Sequence, residues 1–152
     1  MTQITDVTTN LHSIISTTLP GYVRIPDSID IEDNSETYLR QGYALVIGDS
    51  VPTTETVKGL LDQERTFGVS LTQQVFQTEH NASGIQTAKL GIMEDAFTLV
   101  KELHLTNDTI NGSAIDCNFV GDDGVSFLET DRGKYYLVSL IFTVRYRENL
   151  LA

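Results

Sequence analysis

Thirteen consecutive residues, Tyr135 to Arg147, constrain this chain more than any other stretch. They read YYLVSLIFTVRYR, the longest apolar run, and are dense in aromatic and β-branched residues. Such side chains fit a pleated, half-buried surface. In a helix, Tyr, Val, Ile, Phe and Thr would all lose χ1 freedom. The run is therefore expected to be a central strand. Alternation puts Tyr136, Val138, Leu140, Phe142, Val144 and Tyr146 on one wholly apolar face, which should meet the core. The opposite face carries Tyr135, Leu137, Ser139, Ile141, Thr143 and Arg145 and is mixed, so polar groups or a partner should cover it. Strands of about five to six residues are usual. One this long is expected to overhang a small sheet and reach a neighbour.

Other segments supply the partners that such a strand needs. Ile4, Val7, Leu11, Ile14 and Ile15 recur at helical spacing between Thr2 and Leu19, with Thr2 or Thr5 as cap and Pro20-Gly21 as stop. Its many threonines are poor helix formers, so this helix depends on docking. His12 lies off the stripe and is expected to be solvated. A short strand is expected over Tyr22 to Ile25, then an acidic loop from Asp27 to Thr37. GYALVIG, Gly42 to Gly48, reads as a buried strand bounded by glycines. RTFGVSLTQQVF, Arg65 to Phe76, alternates with Phe67, Val69 and Leu71 on one face, and the two strands should form a hairpin. Between them Asp49 to Glu64 reads as a long polar loop, an arm over about 48–65. The clearest helix spans Asn81 to Leu105, with a stripe of Ile85, Ala88, Ile92, Met93, Ala96, Leu99, Val100 and Leu103. Gly91 within it suggests close approach of another backbone. Ile115 to Val120 should be a strand with Ile115, Cys117 and Phe119 inward. Gly121 to Gly124 reads as a turn, Val125 to Leu128 as a brief pairing, and Asp131 to Gly133 as the turn into the last strand.

The fold class expected from this order is α+β in a single domain, 1–152: a mainly antiparallel sheet of four to five strands with two helices packed on one face. Expected core residues are Ile92, Val100, Val138, Leu140 and Phe142.

Ten basic residues stand against twenty-one acidic ones, a formal net charge of −11. The basic residues are scattered, which argues against a free-standing nucleic-acid binder, because such proteins cluster Lys and Arg against phosphate. The single cysteine, Cys117, allows no internal disulfide and is most simply a small buried apolar residue. No signal-peptide pattern opens the sequence and no run approaches a membrane span. A cytosolic protein, or part of a particle assembled in a cytosol, is expected. The Asn-x-Ser/Thr triplets at Asn81, Asn107 and Asn111 read as chance matches.

Chemistry-bearing motifs are missing. The glycines around GYALVIG lack the phosphate-loop pattern, and Gly48 is followed by Asp49, which would repel phosphate. Asp27, Asp30, Glu32, Asp33 and Glu36 lack the order of a calcium loop and read as a solvated acidic loop. Gly-x-Ser-x-Gly, His-Glu-x-x-His and Cys-x-x-Cys are all absent, and His12, His80 and His104 stand far apart. No catalytic residue, cofactor or metal is expected, and the chain is read as a non-enzyme.

The order of elements resembles the tail terminator, or tail completion, family of long-tailed bacteriophages. Three features carry the resemblance: the amphipathic segment Ile4 to Thr18, the hairpin of YALVIG and RTFGVSLTQQVF followed at once by the long helix, and the closing KYYLVSLIFTVRYRENL. It covers nearly the whole chain as a pattern of elements. The resemblance implies a structural virion protein that forms a ring, expected to be a hexamer, which caps the tail tube and joins it to the head connector. Its partners would be copies of itself, the tail tube protein and the head-tail connector protein. DNA would pass through the bore without specific binding. Other head-tail connector and neck proteins share similar small α+β designs. A ligand-binding or enzymatic domain of the same fold class is the rival from another class, and a deep pocket with convergent polar groups would mark it.

Two sets of residues follow as interface candidates. The arm, with Asp49, Glu55, Lys58, Leu60, Leu61, Asp62 and Arg65, should mediate subunit or tube contacts, because it is too long for a turn and Leu60-Leu61 has no stripe partner. Asp30, Glu32, Asp33, Glu36, Asp122 and Asp123, with Glu129 and Asp131 beside them, are candidates to line the bore, where carboxylates would let a polyanion slide.

Overall fold

In the computed structural model the described residues are 3–26, 36–53, 59–75, 82–130 and 133–150. The architecture is α+β. Helix α1 (Gln3–Thr18) leads into β1 (Val23–Arg24), then a one-turn helix α2 (Glu36–Leu39) into β2 (Gln41–Pro52). After β3 (Leu60–Gln74) comes α3 (Ala82–Lys101), which ends in a π-helical turn, Glu102–Thr106. Strands β4 (Asp116–Asp122), β5 (Ser126–Thr130) and β6 (Gly133–Asn149) complete the chain. The six strands form one mixed sheet in the order β1-β2-β3-β6-β4, with β5 also paired to β6. This exceeds the four to five strands expected. The surplus arises because β1 adds parallel to β2 over just two positions, while β4 and β5 share different stretches of the same side of β6.

β6 is the central strand that its composition requires. It pairs with β3 over fifteen positions, from Leu60↔Asn149 to Gln74↔Tyr135. The register brings Phe67 opposite Phe142, Val69 opposite Leu140 and Leu71 opposite Val138, and all six are buried. Each such side chain contributes about 1.5–3 kcal/mol on burial. β2 continues the layer, with Tyr43 opposite Leu71 and Leu45 opposite Val69. Val7, Leu11, Ile14 and Ile15 of α1, and Ile92, Ala96 and Leu99 of α3, belong to the same buried cluster as these strand residues. The helical stripes thus fulfil their apolar periodicity, although Ile85 lies outside the residues whose side chains are described and Val100 is partly buried.

Several local expectations need correction. Ile115 is exposed, because β4 begins one residue later and its first inward side chain is Cys117. Gly91 has no neighbour within 4 Å of where a Cβ would lie, so no backbone approaches it. Gly121 and Asp122 extend β4 and are not a turn. His12 is half-buried, and its Nδ1 lies 3.0 Å from the Tyr43 hydroxyl. The Asp131-Arg132 part of the last turn lies outside the described residues.

Two glycines are needed where the sheet is crossed or bent. A Cβ on Gly42 would come 2.1 Å from the Tyr38 carbonyl oxygen, so glycine lets α2 lie against β2. On Gly48 it would come 2.9 Å from the Thr66 carbonyl oxygen, at the irregularity between Ile47 and Ser50. The end of α3 is held differently. The Asn107 N–H donates to the Glu102 carbonyl at 2.7 Å, and Asn107 and Asn111 bond each other through their side-chain amides at 2.7 Å. Ile110 sits at φ 50°, a sparsely populated conformation for a β-branched residue, and is fully buried. Packing of its side chain offsets the backbone strain.

Candidate interaction surface

The polar arm is not a loop on either side. β2 runs on to Pro52 and β3 starts at Leu60, so the described part of the arm is strand. Pro52 pairs with Gln63, and Asp62 lies opposite Arg147 of β6. β2 ends at the level of the buried Tyr146, and past it, among the described residues, β3 and β6 alone remain paired, from Asp62↔Arg147 to Leu60↔Asn149. Polar residues can build such a ladder because opposite charges face each other across it. Arg147 Nε donates to Asp62 Oδ1 at 2.5 Å and its Nη2 to Oδ2 at 2.9 Å. Arg145 grips Asp116 in the same way, Nε to Oδ2 at 2.9 Å. On the core side, Arg65 Nε donates to the Tyr146 hydroxyl at 2.9 Å and its Nη1 to the Gly48 carbonyl at 2.8 Å. The Tyr146 hydroxyl in turn donates to Gln63 Oε1 at 2.8 Å.

The electrostatics follow from these contacts. The charged hydrogen bond from Arg147 holds the Asp62 carboxyl below the usual aspartate range, against the opposing effect of burial. Burial pushes the Cys117 thiol up to about 12, with Asp116 adding to the shift, so it remains a protonated, unreactive core group. Burial first, and then the hydrogen bond to Asp95, push the Tyr22 phenol upward. The Tyr22 hydroxyl donates to Asp95 Oδ2 at 2.7 Å and so ties the β1 region to α3.

Of the arm candidates, Asp62 and Arg65 are committed to partners within the chain. Leu60 and Leu61 are half-buried where β3 pairs with Asn149 and Glu148. Asp49 is exposed on β2, and Glu55 and Lys58 lie outside the described residues. Of the acidic candidates, Asp30, Glu32, Asp33 and Asp131 also lie outside them, and Glu36 opens α2. Asp122 and Asp123 are exposed carboxylates with local duties. Asp122 Oδ1 accepts from the Gly124 N–H at 2.8 Å, and Asp123 Oδ1 accepts from the Ser139 N–H at 2.9 Å. They pin the β4–β5 connection to β6.

Sequence reasoning missed Glu148. Its carboxylate accepts from the Gln3 and Ile4 N–H groups, at 3.0 and 2.8 Å. The last strand therefore caps the first described turn of the helix, and its charge suits the positive end of the helix dipole, while Thr2 lies outside the described residues. Only the very close approach of residues at opposite ends of the chain reveals this, and no local pattern signals it.

Beyond Tyr43, nothing among the described residues pairs with the outer side of β2. Val46, Ile47 and Val51 are exposed along that stretch. An open groove of about 280 Å³ runs between it and α1, lined by Ile4, Thr5, Thr8, Thr9 and Ile47. A smaller one of about 120 Å³, lined by residues including Ser13, Thr17 and Asn111, lies at the other end of α1. Among the described residues no three His, Cys, Asp or Glu side chains come together as a metal set. No described helix is long and apolar enough to cross a membrane. The arrangement can bind through backbone edges and through the shallow, mainly apolar groove beside Ile47. No known protein-family model matches this sequence, and no curated protein does so either.

Proposed function

We propose that the chain is a structural subunit of a bacteriophage tail, of the tail terminator kind, which closes into a ring on the end of the tail tube and meets the head connector. The observation that carries this reading is the length of the three paired central strands. β2, β3 and β6 run for 12, 15 and 17 residues, and the polar ends of β3 and β6 stay paired past the buried Tyr146 out to Leu60↔Asn149. A lone subunit gains little from so long a polar ladder, whereas a subunit that must reach a neighbour or a tube needs such a stiff edge. Strands are more rigid than a loop of equal length, so less ordering entropy is lost on docking. In such a subunit α1 and α3 form one layer on one face of the sheet, in keeping with their shared buried cluster. Ile25, Leu39 and Tyr135 form a second buried cluster on part of the opposite face, and the stretch around Ser70, Ser139, Thr66 and Thr143 is the part offered to other subunits. The Ser70 and Ser139 hydroxyls already bond each other across that face at 2.9 Å. The formal net charge of −11 supports a bore that does not hold DNA.

Electron microscopy of the purified protein mixed with tail tubes tests this reading. Rings of sixfold symmetry seated on one end of the tubes are expected. Rings seated on the head connector alone would transfer the assignment to another neck component. Tube ends that stay bare, with the protein neither bound nor in rings, would overturn it.

A further inference from the structure

We infer that copies of this chain join head to tail, with the β5 edge of one copy added to the open β2 edge of the next and Phe127 seated in the groove beside α1. This rests on the ring reading for closure into a ring, while the edge contact stands on the observations below. Both edges are available among the described residues. β2 has a paired neighbour on its outer side only at Gly42 and Tyr43, and β5 pairs solely with β6. β4, which shares that side of β6, is a poorer donor, because its Phe119 N–H is already taken by His104 Nδ1 at 3.0 Å.

The side chains at the two edges match. Phe127 is 52 % exposed, large and aromatic, and its ring meets Tyr136 edge-on at 5.9 Å. Ile47, 48 % exposed, forms one wall of the groove, whose volume of about 280 Å³ admits an aromatic ring. Phe127 stands opposite Tyr136, and Ile47 opposite Phe67, which stands opposite Phe142. Tyr136 and Phe142 alternate onto the same face of β6, so knob and groove lie on the same side of the sheet. They sit at opposite edges of it, so one copy cannot satisfy both within itself. Phe127 is level with Gln41 through the ladder, so a sheet running from copy to copy with the neighbour shifted along the strands, from Gln41 to Ile47, would satisfy both.

Strand direction agrees as well. β2 is antiparallel to β3, β3 to β6 and β6 to β5. A neighbour in the same orientation therefore brings β5 antiparallel to β2, the more stable pairing. Charge agrees: Lys134 Nζ lies 6.0 Å from the Phe127 ring, while Asp49 is exposed two positions beyond Ile47. An extended segment added to an open edge, with alternate side chains entering an adjacent groove, is an established mode of recognition. A contact between two different patches propagates from copy to copy, which is what a ring requires.

The test uses the full chain and two single variants, Phe127→Asp in the knob and Ile47→Lys in the groove, each checked for an unchanged melting transition. Sedimentation over a concentration series up to the millimolar range should show the wild type associating beyond a dimer. Each variant alone should associate at least about tenfold more weakly, as expected for loss of an anchoring aromatic or its pocket. Mixed in equal amounts, the two variants should form a 1:1 dimer and nothing larger, because one intact knob and one intact groove remain. A wild type that stays monomeric throughout, a Phe127→Asp chain that associates normally, or a mixture that fails to dimerise would overturn the edge contact. If Phe127→Asp still caps tail tubes in rings, the edge contact is wrong and the tail reading stands. If the wild type associates as described but ignores tubes, the tail reading is wrong and the contact stands.

Discussion

Asp62 shows how a single residue in a polar strand becomes part of the fold. Its carboxylate is buried under the Arg147 guanidinium, directly opposite in the β3–β6 ladder. The Arg147 contact lowers its pKa in the folded state. A depressed folded value means that the stabilisation is present above the unfolded value and is lost as pH falls through the folded one. The urea midpoints of the wild type and Asp62→Asn should therefore differ at neutral pH. They should converge as the pH drops below the ordinary aspartate range, where the wild-type carboxyl is protonated too. A gap that persists undiminished into strong acid would mean that shape, and not charge, is what Asp62 contributes. Arg65 behaves similarly at this scale: it reads as an exposed arm residue in sequence, yet it is spent on Tyr146 and Gly48.

Elements here stabilise one another across the whole length of the chain. Helix α1 is rich in threonine, and its inward stripe alone does not set where it starts. Glu148, at the far end of β6, accepts from its first two described N–H groups. Gln3 adds a second tie, its side-chain amide donating to the Ser113 carbonyl. Replacing a good capping group costs about 0.5–2 kcal/mol, and the dipole adds to this. Glu148→Ala should lower the unfolding free energy by about 1–2 kcal/mol and speed amide exchange in the first turn of α1. Protection confined to its wild-type level in that turn would show that α1 is held by its apolar stripe alone. Because the end of β6 and the start of α1 meet at Glu148, a partner that displaces the end of β6 would also loosen the helix.

At the scale of the whole molecule, the formal charge of −11 sets the conditions for assembly. Copies brought edge to edge place like charges near one another, and salt screens them over about 10 Å at 0.1 M. Assemblies should accordingly be more stable at moderate salt than at very low salt, measured as the dissociation midpoint of rings across a salt series. The isolated protein should bind duplex DNA immeasurably weakly even at low salt. Tight, salt-sensitive DNA binding would reveal a basic patch and would remove the sliding-bore argument. Arg145 and Arg147 stand two positions apart in the sequence, as Arg132 and Lys134 do, but both are paired with carboxylates of the sheet.

What the sequence determined by itself is the set of elements whose apolar period is local. The inward face of β6, the stripe of α1, Phe67-Val69-Leu71 of β3 and the buried Cys117 can all be read residue by residue, because period and burial coincide there. Tertiary structure decided the rest. The arm reads as a loop because its strands are polar. Its described flanks are strand, and β6, distant in sequence, supplies arginines opposite the carboxylates of β3. β1 falls within the short strand expected over Tyr22 to Ile25, but that it joins the edge of β2, and that β4 and β5 share one side of β6, only the folded sheet decides. Ile115 reads as core by alternation and is exposed because the sheet begins one residue after it. Glu148 and the open groove beside Ile47 exist only when the two ends of the chain and the two sides of the sheet are in place. Local period is encoded between near neighbours, whereas caps, charge ladders and edges are relations between residues that only folding brings together.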